Sequence, residues 1–359
     1  MKIAVAGAGP AGAGFAAEMA RLGQGGQVTI FERDLEYRKP CGDVVLEDVL
    51  RETPVPPPIL NRVRRFELRV KGSPVFEAEY PRPLWYVIDK PAWVRSLRAY
   101  AVDRGARLIH SNAHLPKLVG EYDVIVDARG PFANNGLSKL TITRAIVEHP
   151  VDPEGVLIDF DPIEMGFLWV FPHEKHASNI GLAYKGERSP HKRLLKLLEK
   201  EYGSPHLIRM DTTIITIDQP PREPPARPPI YPIGEAAGLV HPLSGEGIRP
   251  AHLHGIHLAR RLAETPDPRL AYRLAWRDLW DFVSQMRFQK LLMDLLDNLP
   301  NSDDKLQAMR LLAPRLYHDF LQDRIGLGDV VDSMLRNPRL LMIMVPALIR
   351  WAGGWRRSG

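Results

Sequence analysis

Lys2-Ile-Ala-Val-Ala-Gly-Ala-Gly-Pro-Ala-Gly12, near the start of the chain, decides the fold. Residues 2–6 read as a short apolar strand. Glycines follow at 7, 9 and 12, then an Ala-rich run to Leu22 that favours a helix. Each glycine meets a steric demand. Gly7 allows a tight turn, Gly9 lets the backbone approach a pyrophosphate, and Gly12, next to Ala11, lets the helix pack close to the strand. The helix start then offers free N–H groups and the positive end of its dipole to phosphates. Gly23, Gly25 and Gly26 end the helix, and Val28 to Phe31 form the next strand, closing on Glu32 and Arg33. Glu32 stands 20 residues beyond Gly12, where a carboxylate accepts from ribose hydroxyls and repels a 2′-phosphate. The unit is a βαβ dinucleotide site for FAD or NAD rather than NADP.

A second glycine cluster, Tyr231-Pro-Ile-Gly-Glu-Ala-Ala-Gly-Leu-Val-His-Pro-Leu-Ser-Gly-Glu-Gly-Ile-Arg-Pro-Ala251, separates those two cofactors. A strand ends at Ile233, and Gly234, Ala236, Ala237 and Gly238 are small enough for close approach. Gly245 and Gly247 then open another helix at Ile248. An NAD site has no need of a second such loop far downstream. A flavin dinucleotide does, because its ribityl chain and ring reach a second site, so FAD is expected.

Between the two clusters the pattern changes. Asn61 to Tyr80 alternates apolar and polar residues around a Lys-Gly-Ser-Pro turn at 71–74, which predicts a hairpin with one buried face. Residues 138–147, 155–160, 167–171 and 179–184 are four further strand candidates that look like an antiparallel sheet. Trp85 to Asp89 and Asp123 to Asp127 read as strands, Ala92 to Asp103 as a helix, and the chain beyond 265 as helical. The expected fold class is α/β with α+β insertions. A discontinuous Rossmann-type FAD-binding domain (1–60, 85–135, 210–265) interleaves with an antiparallel-sheet substrate domain (61–84, 136–209), and a helical region follows (266–359).

The second cluster resembles the GDAAG…P…GxGI signature of the para-hydroxybenzoate-hydroxylase-like flavoproteins, with Glu235 where that signature has Asp. Lys39-Pro-Cys-Gly-Asp43 looks like the (K/R)-P-C-G motif of the geranylgeranyl reductases, among them digeranylgeranylglycerophospholipid reductases. Gly166-Phe-Leu-Trp-Val-Phe-Pro172 is similar to their Y-x-W-x-F-P motif, with Phe167 in place of tyrosine. Leu243 to Ala251 is also close to the pattern of that family, and Val87 to Arg95 resembles its strand-to-helix segment. The likeness covers residues 1 to about 265 well. It implies an FAD-dependent reductase that saturates C=C bonds of isoprenoid chains in membrane lipid precursors. It further implies that Glu235 holds a ribityl hydroxyl, that Arg95 lies near the pyrophosphate, and that Cys41 and Gly42 pass close to the flavin ring. Cys41, Trp169 and Phe167 are then the catalytic candidates, and Phe171, Pro172 and His241 the substrate-binding ones. Cys41 is either a proton source or a polarizable wall. Arg38 and Lys39 flank it as cations of the kind that lower a thiol pKa, or else face solvent or phosphate.

Composition sets outer bounds. The chain of 359 residues carries a net charge of +5, with 45% hydrophobic and 25% charged residues. That is ordinary for a globular protein. No compact basic-aromatic cluster suggests nucleic acid. The single cysteine excludes an internal disulfide and any multi-cysteine metal site, and fits a reducing cytoplasm. No metal site is expected. No stretch reaches the roughly 18 apolar residues of a membrane span. Pro338 to Trp351, with Trp355 and Arg356-Arg357 beyond, instead has the make-up of an interfacial helix, so a peripheral position at the membrane face is expected. The expected partners are an isoprenoid lipid and an external electron donor such as NAD(P)H or ferredoxin. Three other readings stay open: a flavin-dependent aromatic-ring monooxygenase, a polyprenyl-quinone side-chain reductase, and a flavoprotein that only passes electrons. The lack of cysteines for an iron–sulfur cluster weighs against the last of these.

Overall fold

The computed structural model describes residues 1–133, 136–321 and 327–355. Of the expected interfacial segment, Arg356 and Arg357 and the side chains of Trp351 and Trp355 lie outside the described residues.

The first unit is a parallel sheet of five strands, in the order Ile230–Pro232, Val124–Asp127, Ile3–Ala6, Val28–Glu32 and Arg107–His110. Ile3–Ala6 is buried on both faces, which is why it reads as a continuous apolar run rather than an alternating one. Helices Pro10–Arg21 and Ile248–Glu264 cross in near backbone contact. A Cβ on Gly255 would lie 2.3 Å from the carbonyl oxygen of Ala11, and one on Gly14 would lie 2.5 Å from the His252 ring. Small residues on both helices therefore join the two glycine clusters, far apart in sequence, into one wall.

The second unit is a seven-stranded sheet ordered Leu207–Thr216, Lys139–Val147, Ser178–Tyr184, Gly166–Pro172, Gly155–Asp161, Arg65–Val70 and Ser73–Glu79. It is antiparallel except where Gly155–Asp161 runs parallel to Arg65–Val70. A small sheet of Val44–Leu46, Trp85–Ile88 and Ile59–Val63, whose strands interleave in sequence with those of the larger sheets, was not expected. The expected boundary at 209/210 cuts through the edge strand Leu207–Thr216, which pairs with Lys139–Val147 along its length. Its β-branched run Thr212-Thr-Ile-Ile-Thr216 was the available signal. The amphipathic helix Pro190–Tyr202, closed by Gly203 with φ 66°, went unread as well, although Leu194 and Leu198 give it a buried face.

Five helices follow: Pro268–Asp278, Trp280–Asp297, Ser302–Leu321, Leu327–Arg336 and Pro338–Trp355. Their core holds Leu292, Leu296, Leu312, Leu340 and Met344. Ala313 and Tyr317 from the third of them join Phe66, Leu68, Ile158 and Trp169 on the large sheet. Among the described residues, no helix is long and apolar enough to cross a membrane.

Candidate active site

A cavity of about 680 Å³ lies where the two sheets meet. Two helix N-termini face it, that of Pro10–Arg21 after Gly9 and that of Ile248–Glu264 after Gly247, and neither carries a side-chain cap. By contrast, Asp89 caps helix Lys90–Val102 through the Ala92 amide at 2.9 Å. Uncapped N-termini keep their first N–H groups and dipole ends available to an anion. The glycine fingerprint has the geometry its sequence demands. Gly7 has φ 94°, and a Cβ there would lie 2.6 Å from the Ala128 carbonyl oxygen. A Cβ on Gly12 would lie 2.0 Å from the Gly7 oxygen. Gly7, Gly9, Ala11, Glu32, Arg33, Cys41, Glu235, Gly245, Gly247 and Ile248 line the one cavity, and Gly234 supports it by packing on Ala11 and Ala251. A long two-armed ligand with a central anion fits this cradle, as FAD requires.

Glu32 accepts from the amides of Ala8 at 2.6 Å and Asp34 at 2.9 Å, so it ties the phosphate loop to the second strand. Glu235 accepts from the Thr216 amide at 2.8 Å and pairs with Lys39, which reaches across from the first unit. The longer side chain that stands where the flavoprotein signature has aspartate is therefore anchored at both ends. Arg33 lies over the Phe132 ring at 4.4 Å. Arg95 needs a correction. It is exposed and lies outside the cavity wall. One helical turn on, buried Arg98 points inward instead, donating to the oxygens of Ala8 at 2.9 Å and Leu35 at 2.8 Å and lying 3.5 Å from Glu32.

Cys41 sits on a buried ionic cluster. The Lys90 ammonium donates to the Lys39 oxygen at 2.8 Å and to Cys41 Sγ at 2.6 Å, and pairs with Asp43 at 2.8 Å. The thiol donates to Asp43 Oδ1 at 3.0 Å. Arg144 binds the other Asp43 oxygen at 2.6 Å and reaches Asp211 at 3.1 Å. Asp43 itself has φ 56°, a left-handed conformation that aspartate tolerates better than most residues. Burial alone would raise its carboxyl, but Lys90 and Arg144 outweigh burial and hold it below the usual carboxylate range. Burial and then Asp43 push the Cys41 thiol up, against the pull of Lys90. Of the two alternatives left open for Arg38 and Lys39, the structure does not support the first, since neither contacts the sulfur. Arg38 pairs with Glu36 and Lys39 with Glu235, and the cation beside the sulfur is Lys90.

The aromatic strand meets this turn from behind. A Cβ on Gly42 would lie 2.5 Å from the Phe171 ring, so only glycine lets the turn lie flat there. Trp169 donates to Asn179 at 3.0 Å, and Asn179 donates to the Cys41 carbonyl at 2.8 Å. Trp169 and Phe171 are both buried and line neither the cavity nor the crevice described next. Pro172 is buried at the strand end. These residues brace the turn rather than wall a pocket. Phe167 differs. It lines a narrow apolar crevice of about 60 Å³ with Leu68, Phe160, Leu243, Leu296, Met309 and Tyr317. Phe167 also lies 3.4 Å from the Cβ position of Gly245, in the wall of the large cavity. His241 belongs to neither space. It is buried against Gln289, at 2.9 Å, and Phe282. The sequence reading missed Lys90, Asp43, Arg144 and Asn179. Lys90 and Asp43 stood inside quoted motifs, while nothing local marks Arg144 or Asn179.

No family model matches the chain. Among curated proteins it is similar to digeranylgeranylglycerophospholipid reductase 1 of Methanopyrus kandleri, with 25% identity over 349 residues, 84% of this chain and 92% of that protein. Among solved structures it resembles a geranylgeranyl bacteriochlorophyll reductase-like protein from Thermoplasma acidophilum, with TM-score 0.75, 17% identity and coverage of 96% and 98% of the two chains. A flavin-dependent brominase matches at TM-score 0.62 and 16% identity, covering 90% and 92%. These comparisons bear out the resemblance and the fold class.

Proposed function

We propose that this chain is a geranylgeranyl reductase-like enzyme that saturates C=C bonds in the isoprenoid chains of membrane lipid precursors. The observation that carries the reading is the apolar crevice, which approaches the large cavity at Phe167 and Gly245. The apolar lining suits hydrocarbon, and the crevice as it stands admits only a few carbons of a chain. It does not suit a compact polar aromatic acid, the substrate a ring monooxygenase would want, since nearly all of its lining side chains are apolar. When bound, reduced FAD supplies hydride to one alkene carbon.

The residues of the chain do the rest. The two helix N-termini, Gly7, Gly9 and Glu32 hold the dinucleotide, and Glu235 with Lys39 closes the other arm of the cavity. Phe167 and Leu243 exclude water where chain and cofactor approach. Cys41, on the cavity wall with its proton held in place, is the proton source for the second alkene carbon.

A lipid gains about 0.8 kcal/mol per CH₂ on leaving water but little on leaving a bilayer, so the enzyme needs contact with the membrane rather than tight binding. Leu341, Met342, Val345, Leu348 and Ile349 supply that contact. They form an exposed apolar face on Pro338–Trp355, flanked by exposed Arg339 and Arg350. The test is anaerobic incubation of dithionite-reduced holoprotein with a geranylgeranyl glycerolipid, followed by mass spectrometry. Product heavier by two hydrogens per bond is expected. Unchanged lipid with flavin-loaded protein overturns the reading.

A further inference from the structure

Among the described residues, Lys90 is the one lysine whose ammonium is buried at the cavity wall with all three N–H donors directed at named acceptors: the Lys39 oxygen, Cys41 Sγ and Asp43. No other arrangement of its protons serves all three. The same ammonium lies 5.5 Å from the centre of the Tyr37 ring. It is 2% exposed, and so is Asp43. An ion pair this deeply buried costs desolvation that a hydrophobic pair would avoid, so its presence beside a thiol on the cavity wall calls for a functional account.

We propose that Lys90 is the positioning residue for the cavity thiol: it fixes Cys41 Sγ with its proton toward Asp43 and steadies the thiolate left when that proton moves to the substrate. The inference rests on the reductase reading for its chemistry but not for its test. In the step, the S–H bond breaks as a C–H bond forms at one alkene carbon. The electron pair of the other new C–H bond arrives as hydride from reduced flavin, and water returns a proton to the thiolate. Without Lys90, the thiolate would face Asp43 with no cation on its own side. Arg144 lies across Asp43 and is shared with Asp211. The other titratable groups around the thiol are Tyr37, Lys39, Asp43 and, on the end of the aromatic strand, His173, which is coupled to Asp43 and Arg144. None of them is a cation in contact with the sulfur.

The chain has a single cysteine, so bulk thiol chemistry reads Cys41 alone. The experiment measures the rate of iodoacetamide alkylation against pH in FAD-loaded wild type, Lys90→Met, Lys90→Arg and Asp43→Asn. Near-UV circular dichroism confirms that each variant is folded. A pKa change of one unit is tenfold in thiolate at a pH below the pKa, so Lys90→Met is expected to alkylate about tenfold more slowly and Asp43→Asn about tenfold faster, with Lys90→Arg near wild type. An unfolded variant would alkylate faster, so a slow Lys90→Met is not a folding artefact. If Lys90→Met does not fold, Asp43→Asn decides alone. A folded Lys90→Met or Asp43→Asn with the wild-type profile overturns the proposal. Failure of the wild type to reduce the lipid would sink the reductase reading and leave the thiol profile standing.

Discussion

The large cavity and the apolar crevice approach each other where the Phe167 ring meets Gly245, yet they are built on opposite principles. The cavity is made of backbone. Glycines at 7, 9, 12, 42, 234, 245 and 247 bring main chain to its wall or pack main chain behind it, and two helix N-termini face inward. The crevice is made of side chains, mostly Leu, Ile, Met, Phe and Tyr, from three strands, one loop and two helices. The cavity therefore tolerates almost no added atoms at Gly7, Gly12, Gly42 and Gly234, whereas the crevice tolerates any apolar filling of the right volume. On the proposed function such a difference is expected, because the cofactor is one molecule and the chain a repeating one.

The sharpest way to break this contrast is Gly12→Val. Its first added carbon would fall 2.0 Å from the Gly7 oxygen, backbone that cannot rotate away. The cost exceeds the roughly 1–3 kcal/mol of ordinary overpacking, because strand, helix and phosphate loop must all part. Flavin content on purification should fall to background or the protein should fail to fold. A soluble Gly12→Val with full flavin absorbance would mean that the cavity is not set by backbone contact.

The seam behind the cavity gives the next largest effect. His252 and His254 are fully buried between the two glycine clusters, and burial lowers their pKa values to about 4 and about 3. A histidine whose folded pKa is depressed contributes its full stability above the unfolded value near 6.5, and that stability is lost as pH falls toward the folded value. Between pH 7 and 5 each costs on the order of 2 kcal/mol. Urea titrations should therefore show a marked fall in midpoint over that range, with flavin released before the C-terminal helices unfold. No buried histidine stands among the residues that line the crevice. A flat midpoint would show that the seam admits water.

This division explains what could be read in the sequence. The cavity was legible because backbone geometry needs glycine at fixed spacing, and spacing is local. Gly42 is the same lesson in miniature, since the Phe171 ring leaves no room for a side chain. The edge strand Leu207–Thr216 was not legible as part of the large sheet, because its partner lies some seventy residues earlier and its own pattern is ambiguous. Arg95 was expected near the cavity and is exposed, while Arg98 is buried, because motif likeness does not show which side of a helix faces in. Burial separates the two, and burial depends on what the helix packs against. Arg144 and Asn179 came from strands that share no motif with the Cys41 turn, so only the folded sheet joins them to it.

The crevice sharpens the comparison through a smaller effect. Leu243 lines the crevice but not the large cavity, although it is two residues from Gly245, which does line the cavity. Leu243→Trp adds bulk to a space of about 60 Å³, enough to close it, while leaving the glycine backbone beside it in place. Turnover of a geranylgeranyl chain should fall about tenfold, equivalent to about 1.4 kcal/mol in the barrier. Flavin content and the visible spectrum should be unchanged. A short prenyl substrate that does not reach past Phe167 should lose much less. The ratio between long and short substrates is the decisive reading, since general damage to the active site lowers both together. Equal losses would place the chain elsewhere and leave the crevice as a packing defect between sheet and helices.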